Sequence, residues 1–175
     1  RGLGCHIARA MWQNGANLFL LARSREFLEE LRKELVLSAL PGQSIYVFSF
    51  DLKQSESVVL IAGEVRRVWD RLDGLVNNAG ILGPIGQAWE TDWEKWQETI
   101  FTNLFAPVAL CRAFVPWMAE NGGGKIINLS GGGATGPRPR FSAYAVSKTG
   151  IVRFSEILAR ETIKLNIQVN CVAPG

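Results

Sequence analysis

Apolar and polar positions along the chain follow two rhythms. Short apolar runs at 17–22, 44–50, 74–77, 125–130 and 167–172 have the length and residue types of buried strands. Between them lie longer stretches, near 3–14, 24–39, 54–71, 91–120 and 142–165, that read as amphipathic helices. In the second of these, Leu28, Leu31, Leu35 and Leu37 recur among charges. Pro41-Gly42, the Gly/Pro loop at 80–86, Gly122-Gly123-Gly124 and the glycine- and proline-rich loop at 131–140 punctuate the pattern. Strands alternating with helices predict an α/β fold, a parallel sheet covered by helices. No internal repeat or dividing linker interrupts residues 1–175, so a single domain is expected. A sheet of this kind normally starts with a strand, whereas the first predicted helix begins at residue 2 or 3. The expectation is that strands and loops of the complete fold lie outside this sequence.

Composition narrows the chemistry. A formal net charge of +3 is too small to argue for nucleic acid. No apolar run approaches the ~20 residues of a membrane helix, and the first residues lack the layout of a secretory signal. Cys5, Cys111 and Cys171 are odd in number and far apart, which argues against a disulfide framework or a zinc site and fits a reducing, cytoplasmic setting. His6 is the sole histidine, so neither a Ser-His-Asp triad nor a multi-histidine metal site is expected.

Two clusters carry candidate chemistry. Arg1-Gly2-Leu3-Gly4 precedes the first helix, where glycines permit a tight turn and let backbone N–H groups approach a pyrophosphate. The strand at 17–22 ends at Arg23, about 20 residues beyond the turn, where a dinucleotide site reads the adenosine ribose. An acid there would bond the 2′-hydroxyl. Arg23 instead suits a 2′-phosphate, with Arg1 as a second partner, and favours NADP(H).

The other cluster is Tyr144-Ala145-Val146-Ser147-Lys148, which sets a phenol and an ammonium on one helix face. A free tyrosine has a pKa near ~10, and a fixed cation beside it stabilises the phenolate for proton exchange with an alcohol or carbonyl. A glycine-rich loop leads into this helix from a strand end, where open α/β sheets bind ligands.

With these residues in view, the chain resembles the short-chain dehydrogenase/reductase family over nearly its whole length. Gly2-Leu3-Gly4, Asn77-Asn78-Ala79-Gly80, Asn103, Tyr144-xxx-Lys148 and Pro174-Gly175 occur in the family's order and at compatible spacing. The resemblance implies a doubly wound, Rossmann-like three-layer domain, incomplete at both ends. Its function would be hydride transfer between NADP(H) and a carbonyl or alcohol. Tyr144 would be the acid/base, Lys148 would lower its pKa and bond the nicotinamide ribose, and Asn103 would hold a relay water. Asn77, Ala79 and Gly80 would line the cofactor, with Asp51-Leu52 near the adenine and Pro174-Gly175 near the nicotinamide. A homodimer or homotetramer through the helices near 91–120 and 142–165 is also implied.

The family usually places a substrate-polarising serine thirteen residues before the tyrosine, and that position is Gly131. Ser130 is the expected substitute, brought into place by a loop one residue longer. Ser142 is a weaker rival, because it opens the helix and reads as an N-cap. The alternative reading is a non-catalytic NADP-binding protein or an inactive fragment. Trp89, Trp93 and Trp96 read as core or subunit packing, Cys111 as core filler and His6 as structural. Gly122-Gly123-Gly124-Lys125 lacks the P-loop spacing.

Overall fold

The computed structural model describes residues 2–52 and 57–174, so Arg1 and Gly175, both expected at the cofactor, lie outside the described residues. Contacts gather the chain into two units, residues 1–57 and 58–175.

In the first unit α1 (Gly2–Gln13), β1 (Leu18–Ala22), α2 (Arg25–Val36) and β2 (Ile45–Ser49) alternate as expected. β1 and β2 pair in parallel, from Leu18 opposite Ile45 to Ala22 opposite Ser49. Ala8 and Trp12, one turn apart on α1, join Leu18, Leu31 and Leu35 in one buried cluster. α2 starts where Ser24 accepts a hydrogen bond from the Phe27 N–H, with Glu26 in its first turn and Lys33 in its last. The helix stops at Val36, so Leu37 falls outside the apolar stripe and is exposed. Gln43 secures the loop before β2 by donating to the carbonyls of Trp12 and Ala16, both at 2.8 Å.

The second unit runs α3 (Ser57–Val68), β3 (Gly74–Asn77), α4 (Trp93–Ile100), a π-helical turn (Phe101–Phe105), α5 (Ala106–Glu120), β4 (Gly124–Leu129), α6 (Ser142–Glu161), a 3-10 turn (Ile163–Leu165) and β5 (Ile167–Val172). Its three strands form a parallel sheet in the order β3-β4-β5. Parallel neighbours need helical crossovers, and these α4, α5 and α6 supply. Gly123 explains part of the glycine run before β4. Its φ is +106°, and a Cβ there would run into the Asn166 carbonyl. Asn166, itself left-handed at φ 55°, donates from Nδ2 to the Gly122 carbonyl at 2.8 Å and locks the two turns together.

The helical run Trp93–Glu120 corrects one expectation. With 28 residues and a mean hydropathy of 1.3 over its most apolar window, it is long and apolar enough to cross a membrane. Only Arg112 is charged between Thr99 and Ala119, although polar residues break the apolar run. Leu110, Cys111, Phe114, Trp117 and Met118 are buried in the unit, and a core helix of a soluble protein can have the same length and composition. The tryptophans also differ from a core reading. Trp89 and Trp93 are 80% and 63% exposed, and Trp93 stacks on Trp96 with centroids 5.1 Å apart.

Candidate active site

β3, β4, the π turn and α6 bring the site together. β4 ends at Leu129, and α6 opens thirteen residues later at Ser142 and carries Tyr144 and Lys148 one turn apart. Lys148 is buried at 5% exposure. Its Nζ donates to the Leu129 carbonyl at 2.7 Å and lies 5.8 Å from the Tyr144 ring centroid. The strand end therefore fixes the ammonium beside the phenol. Gly80 faces the same place: a Cβ on it would sit 3.4 Å from Lys148 Nζ and 3.4 Å from Asn103 Oδ1. A side chain there would come into contact with the ammonium and the Asn103 amide.

Asn103 sits in the π turn and is buried. Such single-turn bulges insert one residue into a helix and re-aim side chains, often at functional sites. Here Asn103 Oδ1 accepts the Ile81 N–H at 2.8 Å, while Nδ2 donates to the Ile81 carbonyl at 2.8 Å and to Ser147 Oγ at 3.0 Å. Ser147 Oγ donates in turn to the Tyr144 carbonyl at 2.7 Å. The loop after β3, the long helix and α6 are thus clamped through one amide and one hydroxyl. Asn77 joins a second buried network. Its Nδ2 donates to Asn128 Oδ1 at 2.8 Å, and Asn128 Nδ2 donates to Ser155 Oγ at 2.8 Å.

The serines take different places from those anticipated. Ser130 continues the strand, its N–H donating to the Val172 carbonyl at 2.8 Å. Its buried Oγ donates to the Lys148 carbonyl at 3.3 Å, so the strand register directs this hydroxyl at the α6 backbone. Gly131 is the residue beside the phenol, and a Cβ on it would overlap the Tyr144 hydroxyl. Ser142 is the first residue of α6 and makes no capping bond; its Oγ accepts from Trp96 Nε1 at 3.1 Å.

Among the cofactor residues, Gly2 has φ +63° with open space where a Cβ would stand, and Leu3 is exposed. Gly4 is half-buried in the first turn of α1, a turn without an acidic residue. Arg23 is exposed just past β1, and Asp51 and Leu52, after β2, are half-buried. Asn77 ends β3, Ala79 and Gly80 are exposed beyond it, and Pro174 is exposed past β5. His6 is exposed on α1. Cys111 is buried as expected, and burial pushes its thiol up to about 12.

Burial holds the Lys148 ammonium below its ordinary value, partly offset by the field of Cys171. The folded chain therefore releases this proton at lower pH than the unfolded chain does. Between the two values the unfolded state binds more protons, and the folded state gains stability as pH rises. The unfolding free energy of the parent minus that of Lys148→Met should increase as pH climbs toward the ordinary lysine value. Urea titrations at stepped pH test this, and a flat difference would contradict it.

A family model described as short chain dehydrogenase matches residues 1–175. Human dehydrogenase/reductase SDR family member 4 is 31% identical over 99% of the chain and 62% of its own length. Bovine dehydrogenase/reductase SDR family member 7B is 34% identical over 99% of the chain and 54% of its own length. The chain thus spans somewhat over half of these curated relatives. A metagenomic short-chain oxidoreductase solved in complex with NADP superposes with a TM-score of 0.93 at 34% identity, covering 100% of the chain and 78% of that structure.

Proposed function

The chain belongs to the short-chain dehydrogenase/reductase family of oxidoreductases, and from that premise we propose that it transfers hydride between NADP(H) and a carbonyl or alcohol carbon, with Tyr144 as acid/base. The observation that carries this reading is the Lys148 ammonium, fixed by the Leu129 carbonyl beside the Tyr144 ring. A bound nicotinamide would supply or accept the hydride. Tyr144 gives its hydroxyl proton to the substrate oxygen in reduction and takes it back in oxidation. Lys148 stabilises the phenolate left behind, and Asn103 holds the water that returns the proton. Ser130 stays a candidate for polarising the substrate, provided its hydroxyl exchanges the Lys148 carbonyl for the substrate oxygen.

The residues present suit the cofactor. An open, left-handed Gly2 at a helix start without acids suits a pyrophosphate, with Leu3 and Gly4 beside it. Exposed Arg23 suits a 2′-phosphate, supported by a solved relative that contains NADP. Arg1, Asp51, Leu52, Asn77, Ala79, Gly80, Pro174 and Gly175 complete the proposed contacts. Arg23→Asp should weaken NADPH binding at least about tenfold and leave NADH binding little changed, since a charge-assisted phosphate contact is lost. Titration calorimetry with both cofactors tests it, and equal losses would remove Arg23 from the 2′-phosphate.

A homodimer or homotetramer is proposed through the helices that bear exposed Phe105, Val146 and Ile157. A cytoplasmic setting is proposed on the cysteines, which are few, odd in number and far apart in the sequence. The competing reading, an NADP-binding protein without turnover, draws on Gly131 in the usual serine position. Carbonyl turnover that disappears in Tyr144→Phe would exclude it.

A further inference from the structure

Building on the carbonyl-reductase reading, we infer that Arg138 recognises a carboxylate on the substrate, which makes oxo acids the preferred substrate class. Arg138 lies in the loop between β4 and α6, between Pro137 and Pro139, whose rings restrict the backbone on either side. Its guanidinium carbon stands 4.1 Å from the Phe141 ring centroid and 5.9 Å from that of Tyr144. The same side chain covers the glycine loop. Nη1 is 3.6 Å from where a Cβ would stand on Gly132, and the Arg138 Cβ is 3.4 Å from the corresponding point on Gly133. Gly131 precedes them in that loop, and a Cβ on it would overlap the Tyr144 hydroxyl. One arginine is therefore held by stacking over the loop that borders the acid/base.

Charge makes this placement informative. No Asp or Glu occurs from Asn121 to Ser155, whereas Lys125, Arg138, Arg140, Lys148 and Arg153 do. Arg9, Arg32, Arg67 and Arg71 elsewhere in the chain bond carboxylates. Arg138 forms ring contacts instead, and its fork of N–H donors remains available among the described residues. A guanidinium carbon held over an aromatic ring leaves the N–H fork free to bind a carboxylate through two parallel hydrogen bonds. A substrate whose carbonyl oxygen meets Tyr144 would bring a nearby carboxylate to that edge. A neutral ketone would leave it to water.

The test is equilibrium binding, which does not depend on turnover. Phenylglyoxylate and acetoacetate are titrated against their methyl esters, with NADP⁺ present to preclude reduction, on the parent protein, Arg138→Gln and Arg138→Lys. The acids should bind the parent at least about tenfold tighter than the esters, the worth of a charged hydrogen bond. Arg138→Gln should erase that ratio, and Arg138→Lys should keep part of it. NADP⁺ affinity, measured separately, should be equal in all three. Acids and esters bound alike by the parent, no acid binding, or a ratio that survives Arg138→Gln would overturn the inference. So would a loss of NADP⁺ affinity in Arg138→Gln without loss of the ratio, which would assign the arginine to a cofactor phosphate. A normal binding ratio with no NADPH-dependent turnover of any acid would leave the carboxylate site standing and sink the reductase reading alone.

Discussion

Tyr144→Phe is expected to lower kcat/KM for carbonyl reduction by about 10²–10⁴-fold, the usual contribution of a positioned general acid or base. The substitution deletes one oxygen and keeps the ring. The ring's neighbours are Lys148 Nζ at 5.8 Å from its centroid and the Arg138 guanidinium at 5.9 Å, and neither depends on the hydroxyl. Thermal unfolding and cofactor affinity should therefore stay near the parent values while turnover falls. Lys148→Met makes the complementary case. It removes the ammonium that Leu129 and the phenol share, and under the proposed contacts it should weaken cofactor binding as well as turnover. A Tyr144→Phe variant retaining a tenth or more of parental kcat/KM would show that the proton comes from elsewhere, and the acid/base assignment would fail.

Much of the fold was legible because local pattern and tertiary environment agree. The strands at 74–77 and 167–172 have the bounds that the apolar runs suggest, since glycine or turn residues flank both. Apolar spacing alone was silent on the π turn: inserting one residue at Phe101–Phe105 leaves the helix amphipathic on either side, yet rotates Asn103 into its clamp on Ile81. Ser147 was overlooked for a related reason. Between tyrosine and lysine it resembles a neutral helix residue, and its role follows from Asn103, which is distant in sequence. Arg138 was also missed, although two prolines around an arginine in a stretch without acids is a signal visible in the sequence. The tryptophans were legible only in part: exposed Trp89 and Trp93 depart from the core half of the expectation and leave subunit packing open. Helical spacing among Trp89, Trp93 and Trp96 predicts a shared face but does not say whether protein or solvent covers it. Trp89 precedes α4, and its 80% exposure follows from lying in the turn before the helix begins.

Gly131 has the clearest physical explanation and supports the least intuitive prediction. If the family's serine were simply missing, Gly131→Ser should restore a polarising hydroxyl and raise activity. The geometry argues the reverse. A Cβ at residue 131 would occupy the space of the Tyr144 hydroxyl, and the ring would have to swing aside to admit any side chain. That movement concerns the far end of a half-exposed side chain, so stability should fall by no more than the about 1–3 kcal/mol typical of local overpacking. Chemistry is less forgiving, because a displacement of about 1 Å at a reacting group can lower the rate by 10²-fold. Gly131→Ser should therefore reduce kcat/KM by about 10²-fold or more. Gly131→Ala, which adds the Cβ without the hydroxyl, should reduce it to a similar extent. Equal losses would identify the Cβ as the cause, and would mean that this site places its phenol in the space that a serine position would otherwise fill. Higher activity in Gly131→Ser with loss in Gly131→Ala would mean that the ring accommodates the side chain and that the missing hydroxyl was the true deficit.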